Sequence, residues 1–179
     1  MQANLFNSDY KVENSKKNLN EVVQNCDKII VTASALCSPF FKESVKCMIP
    51  FLKVYGKSIY LPHSQETQIA IYSNDESNPE RMSFASQAIE IINVLKKEGL
   101  VKFIGAKDSP KNSLLQLIEL IEVMSQRERI MVLTQSVKVY EELESLNVKV
   151  ARINRFGYLS KMMTAGELKE RQLKVELGL

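Results

Sequence analysis

The chain has 179 residues, of which 45% are hydrophobic and 25% are charged, and its formal net charge is +3. This balance is typical of one globular domain with a buried core, and no apolar run reaches the ~20 residues that cross a bilayer. Three cysteines without a Cys-x-x-Cys spacing and a single histidine do not fit a zinc site. Since no signal or transit peptide is evident, we expect a cytoplasmic protein with reduced cysteines and no membrane association.

The first half of the chain alternates predicted strands and helices. A short helix is predicted over Asn18–Gln24, and the β-branched run Lys28–Val31 predicts a strand buried on both faces. The next helix is predicted from about Phe40 to Val54, where Pro50 predicts a kink or an earlier end. The elements that follow are a strand over Ser58–Leu61, a helix over Ser64–Tyr72, a helix over Glu80–Lys97 and a strand over Val101–Ile104.

The second half continues this alternation. Ser109-Pro110 is typical of an N-cap followed by a proline in the first turn, so a helix is predicted from Pro110 to Ser125. After it come a strand over Arg129–Leu133, a helix over Val137–Leu146, a strand over Lys149–Ile153 and a charged helix over Thr164–Leu177. The order predicts an α/β domain with a parallel sheet between two layers of helices. We divide the chain into a polar N-terminal segment (1–27), the domain (28–160) and a C-terminal helix (161–179).

Ligands of such sheets bind at the carboxyl ends of the strands. The residues predicted there are Thr32-Ala33-Ser34-Ala35-Leu36, Pro62 with Gln68 six residues later, Asn112-Ser113 and Thr134-Gln135-Ser136. These short motifs and the order of elements over residues 28–153 resemble the PIN domain, a family of metal-dependent nucleases that act mostly on RNA. The resemblance implies a PIN-like three-layer α/β/α sandwich with a central, mostly parallel sheet.

The chain departs from this family at the active-site acids. Where the family has three aspartates and a glutamate, this sequence has uncharged residues: Thr32, Gln68, Asn112 (or its neighbour Ser113) and Ser136. Mg²⁺ and Mn²⁺ prefer anionic oxygen ligands, so neutral hydroxyl and amide oxygens bind them weakly. The remaining acids nearby, Asp108 and Glu66, are weak metal candidates that do not rebuild a four-acid site. The resemblance therefore implies a degenerate active site with no catalytic residues, metal or other cofactor.

A stretch without acids, between Ser145 and Gly166, combines basic and aromatic residues. Such side chains suit single-stranded RNA through phosphate contacts and base stacking. The alternative is a solvated strand edge beside a packed aromatic turn. The RNA-binding candidates are Lys149, Arg152, Arg155, Phe156 and Tyr158.

Three hypotheses follow from the sequence. The leading hypothesis is a non-catalytic PIN-like protein that binds RNA or a protein partner through the degenerate active-site face. The first alternative is an active ribonuclease with a rearranged acid set, which uses Mg²⁺ or Mn²⁺. The second alternative is a structural module that forms a homodimer or another homo-oligomer.

Overall fold

The computed structural model describes residues 19–146 and 148–153. The strands are β1 (Lys28–Val31), β2 (Ile59–Pro62), β3 (Val101–Ile104), β4 (Ile130–Leu133) and β5 (Lys149–Ala151). The helices of the described chain are α1 (residues 19–25), α2 (Ala33–Leu36), α3 (Phe41–Val54), α4 (His63–Ser73), α5 (Pro79–Lys97), α6 (Ser113–Ser125) and α7 (Val137–Leu143).

The five strands form one sheet in the order β3-β2-β1-β4-β5, and every neighbouring pair is parallel. Parallel neighbours need crossover connections, and right-handed crossovers on the two sides of β1 place helices on opposite faces of the sheet. The predicted α/β class, a three-layer α/β/α sandwich around a parallel sheet, is confirmed.

The central position of β1 in the sheet explains why Ile29, Ile30 and Val31 are all apolar. Successive side chains of a strand point to opposite faces. Ile29 and Val31 enter the core shared with α1–α5, while Ile30 enters the second core beneath α6 and α7. Both faces are therefore buried, which is the environment that a run of β-branched residues predicts.

Helix α3 runs to Val54 as predicted, with Met48 and Leu52 buried on either side of Pro50, so the proline does not end the helix early. Other predicted element ends differ from the structure. The predicted cap Ser109-Pro110 is wrong, because α6 begins at Ser113 and the Asn112 side chain accepts the hydrogen bond from the Leu115 amide at 2.8 Å. The helix α7 ends at Leu143, three residues earlier than predicted.

The short helix predicted over Asn18–Gln24 is present over residues 19–25, where Leu19, Val22 and Val23 are buried in the first core. The helix predicted over Thr164–Leu177 lies outside the described residues. Among the described helices, none combines the length and the apolar composition that a membrane span requires.

Candidate functional site at the carboxyl edge of the sheet

The crevice of this fold lies between β1 and β4. The chain first adds β2 and β3 on one side of β1 and then places β4 on the other side. In open α/β sheets this reversal leaves a crevice beyond the carboxyl ends of the two strands, where ligands commonly bind. Thr32 follows β1 and Thr134 follows β4, so both residues stand at the crevice.

A chain of hydroxyl groups closes the floor of the crevice. The Thr32 hydroxyl donates to the Leu133 carbonyl at 3.1 Å, and Ser34 Oγ lies 3.0 Å from both Thr32 Oγ1 and Thr134 Oγ1. Because the Leu133 carbonyl can only accept, Ser34 donates to Thr32 and Thr134 donates to Ser34. All three hydroxyl protons are thus used within the protein.

Backbone amides complete this hydroxyl chain. The Gln135 amide donates to Ser34 Oγ at 3.0 Å, and the Ser136 amide donates to Thr134 Oγ1 at 3.1 Å. Thr32 is 1% exposed and Thr134 is fully buried. Each of these hydroxyls donates its proton to an acceptor in the protein. An unpaired buried hydroxyl costs free energy, so this set of hydrogen bonds stabilises one arrangement of the two strand ends.

Gln65 links the crevice to two helices. Its Oε1 accepts from the Ala33 amide at 2.9 Å, and its Nε2 donates to Ser113 Oγ at 2.9 Å. The Ser113 hydroxyl in turn donates to the Ser64 carbonyl at 2.9 Å. Gln65 is 6% exposed, so this buried amide joins the start of α2 to the first turns of α4 and α6.

The structure brings together only part of the set inferred from the family resemblance. Thr32 lies in the crevice, and Ser113, the neighbour of Asn112, reaches it through Gln65. Asn112 is exposed and caps α6, while Ser136 caps α7 by accepting from the Val139 amide at 3.4 Å. Gln68 is half-buried one turn further along α4 and makes no side-chain hydrogen bond within the described residues.

Sequence reasoning missed Gln65 as the residue that enters the crevice. Gln65 and Gln68 are three residues apart, so they lie one above the other on neighbouring parts of the same helix face. The first turn of α4 directly follows β2, which places Gln65 nearer the strand ends than Gln68. Proximity to the strand end is the signal that would have found it.

The two acids named as weak metal candidates lie apart from the crevice. Glu66 is exposed, and its Oε2 is 3.0 Å from Nδ1 of His63. Asp108 is exposed in the loop before α6 and makes no side-chain hydrogen bond within the described residues. In the part of the chain that the structure describes, no three His, Cys, Asp or Glu side chains form a group suited to a metal ion.

The donors present at the crevice do not fit the divalent metal that the family resemblance implies. They are three hydroxyls and an amide, all neutral, and their protons or lone pairs are already committed to each other and to the backbone. Mg²⁺ and Mn²⁺ require anionic oxygens to replace their hydration. We derive no reaction step through a metal at this crevice.

The two basic candidates within the described residues, Lys149 and Arg152, lie at opposite ends of the same strand, β5. Arg152 follows β5 at the carboxyl edge, where its Nε donates to Gln135 Oε1 at 3.5 Å and its guanidinium lies 5.7 Å from the centre of the Tyr140 ring. Lys149 begins β5, where its charge acts on the Cys26 thiol that precedes β1. Arg155, Phe156 and Tyr158 lie outside the described residues.

Two titratable groups next to the crevice, the Tyr140 phenol and the Cys37 thiol, are held in their neutral forms. Burial raises the pKa of the Tyr140 phenol, opposed by the Arg152 charge, and the phenol donates to the Thr134 carbonyl at 3.0 Å. Burial also raises the pKa of the Cys37 thiol to about 11. A thiol that is protonated at neutral pH is a poor nucleophile, so neither group supplies covalent chemistry here.

Two grooves lie beside the crevice, at the carboxyl ends of β2 and β3. The larger, of about 650 Å³, separates α4 from the loop of residues 107–111, and the smaller, of about 370 Å³, lies between β3 and α6. The residues that line both grooves are Ser64, Ser109, Lys111 and Gln116.

No model of a known protein family matches this chain, and no curated protein matches it.

Proposed function

We propose that this chain is a non-catalytic PIN-like protein that binds single-stranded RNA along the carboxyl edge of its sheet. The proposal is carried by the hydroxyl chain at the crevice between β1 and β4. Thr32 occupies a position where the resemblance implies an acid, and its hydroxyl proton is spent on the Leu133 carbonyl. Such a crevice serves as a neutral support for the surrounding edge, and its described residues offer a phosphodiester no base, nucleophile or metal ligand.

The chemistry of Arg152 and of the two grooves favours RNA over a protein partner. The Arg152 guanidinium lies at the carboxyl edge beside Gln135, and a guanidinium is the side chain that pairs best with phosphate oxygens. The grooves are open, and their mainly apolar walls carry a few hydroxyl and amide groups, a combination that suits the faces and edges of unpaired bases. A net charge of +3 is compatible with a polyanionic ligand.

The test is binding of a fluorescently labelled oligouridylate, followed by anisotropy at several salt concentrations. We expect measurable affinity at low salt, and we expect Arg152→Ala to weaken it by about three- to tenfold with a salt slope smaller by about 0.7. The matched control is Lys53→Ala, which removes the same charge from the exposed end of α3, where Lys53 pairs with Glu98. The control should bind like the wild type.

The same RNA incubated with Mn²⁺ tests the alternative of an active nuclease. We expect the RNA to stay intact. Robust cleavage that Asp108→Asn or Glu66→Gln abolishes would overturn the proposal in favour of a ribonuclease with a rearranged acid set. No binding at low salt, together with a mass that rises with protein concentration in sedimentation, would favour the homo-oligomeric structural module.

A further inference from the structure

The larger groove at the carboxyl edge contains polar groups that the protein itself leaves without partners. The Asp108 carboxylate and the Gln68 amide both line it, and neither makes a hydrogen bond within the described residues. Ser64 lines it too, and the Ser64 hydroxyl is buried without a partner among those residues. The missing partner of the buried Ser64 hydroxyl costs free energy that a ligand with a matching group recovers, and the exposed Asp108 carboxylate and half-buried Gln68 amide are open to the same ligand.

Apolar side chains stand beside these polar groups. Ile71 of α4 is 57% exposed and lines the groove opposite the ring of Pro110. The volume of about 650 Å³ falls in the range of ligand pockets. Apolar walls with a few converging hydrogen-bonding groups are typical of sites for a flat, polar ligand whose faces are hydrophobic.

The charges of the groove argue against a site for a phosphate alone. Lys111 is paired with Glu119 through two contacts of 2.7 Å, and the opposite charges of the sequence neighbours Lys107 and Asp108 both line the groove. An anion placed beside Asp108 would meet repulsion, whereas a neutral group with adjacent N–H donors would meet two acceptor oxygens.

We propose that this groove binds an unstacked guanine base of single-stranded RNA, an inference that rests on the proposed RNA-binding function. Guanine presents two adjacent donors, N1–H and the N2 amino group, which a carboxylate accepts together, and its neighbouring O6 accepts from an amide such as that of Gln68. Uracil flanks its one N–H with carbonyl oxygens, and adenine and cytosine place a ring-nitrogen acceptor beside their amino group, so each opposes Asp108 with an acceptor. Bases of single-stranded RNA are commonly recognised through these edges.

The experiment compares two labelled RNAs, the oligouridylate and the same strand with one central guanine. We expect the wild type to bind the guanine-containing strand about tenfold more tightly, as a bidentate base contact gives. Asp108→Asn should remove this preference, while the affinity for oligouridylate stays the same or rises, because a negative charge beside the strand is removed. Gln68→Ala should reduce the preference in the same way.

The control is Glu122→Gln, which removes one carboxylate from the exposed side of α6 outside both grooves. It should keep the full preference for guanine. Each variant's affinity for oligouridylate also reports whether it is folded, so a lost preference cannot be mistaken for a lost fold.

The outcomes separate this inference from the function on which it rests. Equal binding of both strands by the wild type, or a preference that survives Asp108→Asn and Gln68→Ala, would overturn the guanine site and leave RNA binding standing. No binding of either strand would overturn RNA binding and the guanine site together.

Discussion

Individual residues hold the two edges of the sheet by different means. At the carboxyl edge the neutral side chains of Thr32, Ser34 and Thr134 pass hydrogen bonds to one another. At the amino edge Asp27, which precedes β1, accepts from the Arg129 amide at 2.8 Å and from its guanidinium at 2.9 and 3.1 Å. The charged contact therefore depends on pH, whereas the neutral one does not.

The pair of Asp27 and Arg129 predicts an acid-sensitive contribution to stability. The hydrogen bond from the Arg129 side chain is the main cause that lowers the pKa of Asp27 from 3.8 to about 2. Because the folded protein holds this proton less tightly than the unfolded chain does, the contribution is complete above pH 3.8 and is lost as the pH falls through about 2. We expect Asp27→Asn to flatten the fall in unfolding free energy over this range, measured by urea denaturation.

The matched control for this prediction is Glu43→Gln. Glu43 is an exposed carboxylate that pairs with Lys46 on its own helix, and such pairs contribute little to stability. The control should show the same fall in unfolding free energy at acidic pH as the wild type. An Asp27→Asn profile that runs parallel to the wild-type profile would contradict the assigned role of the pair.

At the scale of whole elements, the sequence pattern predicts the strands more accurately than it predicts the ends of the helices. The β-branched run of β1 predicts a strand buried on both faces because consecutive apolar residues have no polar face to expose. Helix starts depend on which nearby polar side chain reaches the free amides, so Asn112 and not Ser109 caps α6. Helix α2 consists of the four residues Ala33–Leu36, which are too few to show the hydrophobic periodicity from which a helix is predicted.

The location of the candidate site can be predicted from the sequence, but only some of its residues can. The ends of β1 and β4 follow from the alternation of elements, and Thr32 was named from them. The role of Gln65 follows from a contact with the Ala33 amide, 32 residues away in sequence. The hydrophobic pattern around Gln65 and Gln68 favours neither residue, and only the position of Gln65 in the first turn after β2 distinguishes it.

One lysine adds polar contacts to helix α1, whose Leu19, Val22 and Val23 are already packed in the first core. Lys57 Nζ donates to the carbonyls of Val23, Gln24 and Cys26 at 2.6–2.8 Å, at the carboxyl end of α1. A cation there satisfies carbonyls that have no partner in the helix and interacts favourably with the helix dipole. The contact ties α1 to the turn that precedes β2.

We expect Lys57→Met to lower the unfolding free energy by about 2 kcal/mol, because charge-assisted hydrogen bonds are lost while most of the aliphatic stem is kept. Hydrogen exchange should accelerate in α1 more than in β1 or β4. The control, Lys53→Met, removes an exposed lysine of α3 and should cost less than about 0.5 kcal/mol. Equal losses in the two variants would contradict a special role for Lys57.

At the scale of the whole molecule, the crevice joins parts of the chain that are far apart in sequence. The Thr32 hydroxyl reaches the Leu133 carbonyl across 101 positions, and Gln65 reaches Ser113 across 48. The five parallel strands bring these residues together because each crossover returns the chain to the same edge. A single change in the crevice should therefore affect the stability of the entire domain.

Thr32→Asp tests whether the crevice is a neutral support, as the proposed function requires. Thr32 is 1% exposed, and its hydroxyl donates to the Leu133 carbonyl. An aspartate there has no proton to donate and places a buried charge beside a carbonyl oxygen, so we expect a loss of about 3 kcal/mol at neutral pH. Burial raises the pKa of such a carboxyl, so the deficit relative to the wild type should shrink as the pH is lowered and the group is protonated.

The control for Thr32→Asp is Thr32→Val, which keeps the shape of the side chain and removes the hydroxyl without adding a charge. It should cost about 1.5 kcal/mol and show no added dependence on pH. Urea denaturation of both variants with and without Mn²⁺ completes the measurement. A neutral support gives no recovery of Thr32→Asp by Mn²⁺, because Ser34, Thr134 and Gln65 offer the ion only neutral oxygens. A full recovery would mean that one added carboxylate suffices to make a metal site, and the degenerate, non-catalytic assignment would fall with it.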